Sequence, residues 1–91
     1  MLEKVRNALR ANGSASDTEI EGLIAAALAE IQTATGSAPD QSDPMVVQAV
    51  ICYAKAYYGY DDPTTAERFR LAFESIRTQL AVVGGGDGDE D

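Results

Sequence analysis

Acidic side chains dominate the groups in this sequence that could do chemistry, and three of them recur at regular spacing near its end. Asp87, Asp89 and Asp91 match the first three ligand positions of an EF-hand calcium loop. The sequence provides neither the turn glycine nor the bidentate glutamate that a complete loop requires. We therefore interpret these residues as part of a solvated acidic tail and expect no metal site.

Two further pairs of aspartates could be read as an acid/base dyad: Asp40 with Asp43, and Asp61 with Asp62. Asp43 and Asp62 each stand directly before a proline. An aspartate followed by proline is typical of a helix N-cap with proline at the first helical position. The capping role accounts for these two carboxylates, so we prefer it to the catalytic interpretation.

Histidine is absent from the sequence, and Cys52 is the single cysteine. A Ser-His-Asp triad, a Cys-His pair and an imidazole metal ligand are thereby excluded, as is a disulfide within the chain. Cys52 lies beside Ile51 in an apolar stretch without a nearby cation, which indicates a small packing residue. Gly84–Gly86 is not followed by the Lys-Ser/Thr of a phosphate loop. We expect no catalytic residue and no cofactor.

The charge balance argues against a protein that binds nucleic acid by electrostatic attraction. The sequence contains seven Lys and Arg residues and fifteen Asp and Glu residues, which gives a net charge of -8. Phosphate contacts are made by basic side chains, so this composition does not fit electrostatic DNA binding. Leu23–Ala29, the longest apolar run, is far shorter than the ~20 residues of a bilayer span.

Length and composition predict one small domain with a thin core. The chain has 91 residues, and many of its hydrophobic residues are alanine. A domain of this size buries only roughly 60–65% of its unfolded surface, which leaves it marginally stable alone. Oligomerisation, or burial of a face against a partner, would compensate.

Apolar spacing and capping signals predict an all-α fold: a small bundle of four helices with short connections. Ser16 and Glu19 form a capping box before an apolar stripe with helical period. The two Asp-Pro pairs open the third and fourth helices, and Asn12-Gly13, Thr35-Gly36 and Gly59 mark the ends of the first three. The predicted helices lie near 1–12, 17–35, 44–58 and 63–82.

The same periodicity predicts which side chains are buried. Six positions should face the core: Ile24, Leu28, Val50, Phe69, Phe73 and Ile76. Leu71 lies about 200° from Phe69 around the fourth helix and should face solvent. Residues 84–91 contain no apolar side chain and four carboxylates. We expect residues 1–83 to form the helical domain and 84–91 a disordered Gly/Asp-rich tail.

The tyrosines and the outer side of the fourth helix provide candidate interaction surfaces. All four tyrosines fall between positions 53 and 60, and Tyr57 or Tyr58 should continue the apolar stripe into the core. Tyr53 lies off that stripe, which fits an interface residue or ordinary aromatic cover equally well. A second surface combines Arg68, Arg70 and Leu71, with a merely solvated face as the alternative. The candidate interface residues are Tyr53, Tyr60, Arg68, Arg70 and Leu71.

Several of these segments together resemble a known family. Asp43–Val50 opens a helix with proline and leads into the aromatic end Tyr53–Gly59, after a short leading helix and a capped Ala-rich helix. Glu67–Leu80 then forms the closing helix. This pattern, over roughly residues 1–82, is similar to the small head-tail connector proteins of long-tailed bacteriophages.

The resemblance implies a structural virion protein without chemistry of its own, made in the host cytoplasm and located at the head-tail interface. Such proteins form a ring beneath the portal protein, extend the DNA channel and provide the platform for the tail. The implied partners are the portal, a tail-side connector or stopper, and further copies of the chain. The resemblance implies a dodecameric ring in the virion and a monomer when the protein is alone. DNA would pass through without specific binding, and no membrane is involved.

The competing interpretation is a small acidic helical interaction module, for example an antagonist that mimics DNA. Such mimics usually spread carboxylates over the folded surface. In this sequence the 84–91 segment carries four of the eight excess charges, since -8 + 4 leaves -4 for the rest. This distribution weakens the mimic interpretation, and an enzyme has no residue in its favour.

The Gly84–Asp91 segment should be dispensable for folding. It has no apolar group to bury, and its carboxylates repel one another. We expect a chain truncated after Val83 to melt cooperatively, within a few degrees of the full chain or slightly above it, as followed by circular dichroism. Loss of the cooperative transition on truncation would show that the segment docks onto the domain.

Overall fold

The computed structural model describes the backbone of residues 1–9, 16–58 and 62–89, and side chains in those ranges as far as residue 82. In these ranges the chain forms four helices and no strand: α1 (Leu2–Leu9), α2 (Asp17–Thr35), α3 (Pro44–Tyr57) and α4 (Pro63–Asp89). The predicted fold class is confirmed. Helix α3 packs against all three other helices, and α2 also contacts α1 and α4.

The capping box predicted before α2 is present. The Ser16 hydroxyl accepts from the Glu19 amide at 3.2 Å, and the Glu19 carboxylate accepts from the Ser16 amide at 3.0 Å. At the other end, Gly36 adopts a left-handed conformation with φ of 85° and donates its amide to the Gln32 carbonyl. A side chain at this φ would be strained, so glycine suits the position.

Aspartate caps open α3 and α4 as predicted. Asp43 accepts from the Met45 amide at 2.9 Å, with Pro44 at the start of the helix. Asp62 accepts from the Thr64 amide and from the Thr65 hydroxyl. These two bonds, first the hydroxyl and then the amide, hold the pKa of Asp62 below its usual value.

The core lies where α3 meets its three neighbours. Residues from all four helices are buried there: Val5, Leu9, Ile20, Ile24, Ala27, Ile31, Val46, Ala49, Val50, Cys52, Ala54 and Phe73. Three of these are alanines, whose small side chains let the helix backbones approach closely. No polar or charged side chain is buried among the described residues.

Three of the six predicted core residues, Ile24, Val50 and Phe73, are buried. The prediction is wrong for the other three, Leu28, Phe69 and Ile76, which are only partly buried and pack at the edge of the core. The small residues Ala27 and Ala54 lie at the centre instead. Helix periodicity identifies an apolar stripe, but which part of it is fully covered depends on the neighbouring helices.

The helix boundaries agree with prediction most closely for α2 and α3. Helix α1 is described to Leu9, and the predicted stop at Asn12-Gly13 lies outside the described residues, as does Gly59. Helix α4 continues to Asp89, beyond the predicted end near 82. Because the side chains from 83 onward are not among those described, the division into a domain and a separate tail stays a prediction.

Truncation of Phe73 should separate core from surface on α4. Phe73 is 2% exposed, whereas Leu71 two residues away is 51% exposed. We expect Phe73→Ala to lower the free energy of unfolding by about 3–5 kcal/mol through the cavity it leaves. Leu71→Ala should change it by no more than about 0.5 kcal/mol, and the half-buried Leu28→Ala should fall between them. Urea denaturation measures all three, and equal costs for Phe73→Ala and Leu71→Ala would contradict the assigned faces.

Candidate interaction surfaces

Tyr53 lies in an aromatic cluster between α3 and α4. Its ring centroid is 4.6 Å from that of Tyr57 and 5.0 Å from that of Phe73, the latter in an edge-to-face arrangement. Partial burial raises the pKa of Tyr53, and the negative charge of Glu30 adds to the increase. Of the two interpretations left open for Tyr53, this placement favours aromatic cover over the helix pair.

Tyr57 and Tyr58 differ in burial, and the sequence left open which of the two would face the core. Tyr58 is partly buried against the core, whereas Tyr57 is 55% exposed. The prediction that one of them faces the core is therefore met by Tyr58. Tyr60 lies outside the described residues. An exposed aromatic ring at the end of α3 is the part of the tyrosine group available to a partner.

Leu71 occupies the solvent face of α4, as predicted. Arg68 is exposed one turn before it. Arg70 is half-buried and forms ion pairs with Glu67 and Glu74 of the same helix. The pKa of Arg70 is raised above its ordinary value, mainly by the hydrogen bond that Arg70 donates to Glu67. Arg70 is thus already paired within α4, while Arg68 has no ion pair among the described residues.

The four candidate interface residues that the structure describes are not gathered into one site. Tyr53 faces the α3–α4 junction, while Leu71 and Arg68 lie on the outer side of α4. Their participation in subunit or partner contacts stays a prediction for each of them.

The aspartates considered for an acid/base dyad have structural roles wherever they are described. Asp40 accepts from both the amide and the hydroxyl of Ser42, at 2.9 and 2.7 Å, and these bonds lower its pKa. Asp43 and Asp62 are the helix caps described above, and Asp61 lies outside the described residues. Cys52 is buried, which confirms its prediction as a packing residue. No group of three potential metal ligands occurs in the part of the chain that the structure describes.

An ion pair that the sequence analysis missed joins α2 to α4. The Arg77 guanidinium donates to the Glu30 carboxylate at 2.9 Å, and it lies 5.6 Å from the centre of the Phe73 ring. The two residues are 47 positions apart. Sequence spacing contains no signal for a pair so distant, because its formation depends on how α2 and α4 are placed side by side.

Beside this ion pair lies an open groove between α2 and α4 with a volume of about 650 Å³. Its walls consist mainly of small or apolar side chains: Ala29, Thr33 and Ala34 on α2, and Thr78, Ala81 and Val82 on α4. Val82 is 68% exposed. The groove was also missed from the sequence, because it is defined by two helices that are far apart along the chain.

A family model described as phage connector protein matches residues 1–87 of the chain. The chain belongs to this family. No curated protein and no solved structure matches it. The resemblance to head-tail connectors over roughly residues 1–82 is thus confirmed.

Membership of the phage connector family supports a structural role at the head-tail junction and makes the chain a component of the virion. None of the connector's helices in the described ranges is long and apolar enough to cross a membrane.

Substitutions of Tyr53 should distinguish aromatic cover from an exposed contact residue. Because its ring packs against Phe73 and Tyr57, we expect Tyr53→Ala to destabilise the connector by roughly 1–3 kcal/mol. Tyr53→Phe retains the ring and should stay within about 0.5 kcal/mol of the original chain. Urea denaturation followed by circular dichroism measures both. A Tyr53→Ala variant as stable as the parent would show that the ring is not part of the packing.

Proposed function

We propose that this connector assembles as a ring beneath the portal, extends the DNA channel and provides the platform on which the tail attaches. The observation that carries the proposal is the phage connector match over nearly the whole chain. Its partners are the portal protein, a tail-side connector or stopper and neighbouring copies of the chain. The ring is dodecameric in the virion, and the isolated protein is monomeric.

The distribution of exposed apolar side chains supports assembly through more than one surface. A ring needs a heterologous contact, in which one surface of a subunit meets a different surface of the next. Leu71 and Tyr57 are both large and more than half exposed, on α4 and at the end of α3. We assign Leu71 and Arg68 to one contact, with Arg68 meeting a carboxylate of the neighbour. Tyr60 and the aromatic end of α3 belong to the second contact.

Arg70 and Tyr53 contribute to these contacts indirectly. The guanidinium of Arg70 is held by Glu67 and Glu74, so it presents an ion-pair network to a partner and not a lone cation. Tyr53 supports the exposed ring of Tyr57 from beneath. Their effect on assembly would therefore come through the shape of the surface around Leu71 and Tyr57.

The negative charge fits a protein through which DNA passes without being held. With a net charge of -8, the chain repels phosphates and does not bind them. Enzymatic activity forms no part of the proposal, since a structural family accounts for the chain. The DNA-mimic alternative shares the acidic charge but does not account for the family match.

Assembly can be tested with a charge on the outer face of α4. We expect Leu71→Asp to remain folded by circular dichroism but to lose incorporation into heads, measured in a phage or in a reconstituted mixture with its portal. Because Leu71 is half exposed, its replacement removes little packing within the domain. A carboxylate at a subunit contact that excludes water would be left without a hydrogen-bond partner. Normal incorporation of the folded variant would reject Leu71 as a contact residue.

Gln79→Asp is the matched control, because Gln79 is exposed on the same helix and the substitution adds the same charge. It should be incorporated like the parent chain. Failure of the parent chain to bind any portal or tail component would reject the connector role itself.

A further inference from the structure

The groove between α2 and α4 has the form of a helix-docking site. Each wall presents side chains on successive turns, Ala29 with Thr33 on α2 and Thr78 with Val82 on α4. Rows of this kind receive the ridge of a third helix, and small residues allow its axis to approach within about 8–10 Å. The groove is open along its length, and apolar Val82 at its edge is mostly exposed.

Helix α1 shows how this bundle accommodates such a helix elsewhere. It packs against α2 and α3. Val5 and Leu9, four residues apart, are 0% and 2% exposed there, and Arg6 pairs with Asp17 of α2 at 2.8 Å. A short helix with a few apolar residues and a neighbouring cation thus covers the surface between α2 and α3. No helix of the described chain covers the groove between α2 and α4 in the same way.

The surroundings of the groove favour a basic occupant. Helix α2 contains no Lys or Arg, so its last turn has no basic residue to offset the negative end of the helix dipole. The cation in the groove, Arg77, is already paired with Glu30. The chain as a whole has a net charge of -8. A positively charged helix would therefore gain electrostatic energy here that an acidic one would lose.

A second copy of the chain does not supply this occupant. Its basic amphipathic helix is α1, with Lys4 and Arg6, and the apolar residues of α1 are already buried in its own core. The helices α2, α3 and α4 carry their large apolar residues mainly toward the shared core.

We propose that the groove between α2 and α4 binds a basic amphipathic helix of a different protein. The apolar stripe of that helix lies between Thr33 and Val82, and its Lys or Arg residues face the end of α2. This goes beyond the proposed ring function, which specifies neither the groove nor the chemistry of its occupant. The groove also differs from the Leu71 surface, because Leu71 is not among its lining residues.

A pair of synthetic helical peptides provides the probe. Both carry the same Ala/Leu stripe, and the remaining faces carry Lys in one peptide and Glu in the other. We expect the Lys peptide to bind the full connector at least about tenfold more tightly than the Glu peptide, as measured by fluorescence anisotropy. Thr78→Trp fills the groove and should weaken binding of the Lys peptide by at least about tenfold.

Gln79→Trp is the matched control, because it places the same ring on the adjacent exposed residue, outside the groove. It should bind the Lys peptide within about twofold of the parent chain. All variants keep the net charge of the parent, so non-specific attraction of the peptide is unchanged among them. If Thr78→Trp fails to fold by circular dichroism, Thr33→Trp fills the groove from the opposite wall.

Three outcomes would overturn the proposal. In the first, the Lys and Glu peptides bind equally well. In the second, Thr78→Trp binds the Lys peptide as tightly as the parent chain does. In the third, sedimentation shows that the parent chain dimerises and that Thr78→Trp abolishes the dimer. The last result would assign the groove to a second copy. Each is separable from the ring function, since incorporation of the parent chain into heads would be unaffected by a negative peptide result.

Discussion

The burial of α3 against the three other helices is the interaction on which the rest of this structure depends. Ala49, Val50 and Ala54 are fully inaccessible to solvent, and α3 is the helix that contacts every other one. Alanines at these positions contribute little apolar area of their own, but they let the neighbouring helices approach closely enough for the isoleucines of α2 and for Phe73 to meet. The core is small because its centre is made of small residues.

Because the core is small, contacts at its margin determine how the outer helices are placed relative to one another. The Glu30–Arg77 pair joins α2 to α4, and the Arg6–Asp17 pair joins α1 to α2. Partly exposed ion pairs of this kind contribute at most about 1 kcal/mol each. Their main effect is therefore on geometry, since each fixes one side of α2 against a neighbour. The open groove lies between α2 and α4 and is lined in part by this Glu30–Arg77 pair.

The predictable features of this fold are those that short segments specify. The Ser16–Glu19 capping box and the Asp43-Pro44 start act within a few residues, so their sequence signals identify them directly. Burial depends on rotation of a helix relative to its neighbours, which explains why Phe73 was predicted correctly but Phe69, on the same stripe, is only partly covered. The Glu30–Arg77 pair and the groove need two helices distant in sequence, and no local pattern specifies them.

Contact surfaces leave weaker signals in a sequence than catalytic sites do. Catalytic residues can be recognised from a sequence because the chemistry restricts their types and spacing, whereas a contact surface requires only shape, exposure and complementary charge. The family match over residues 1–87 includes the core helices and their caps, such as α3. Leu71, in contrast, lies on the face of α4 away from Phe73, where substitution costs the fold little. A contact face placed at such positions, as proposed for Leu71, therefore leaves the packing of α3 against its neighbours unaffected.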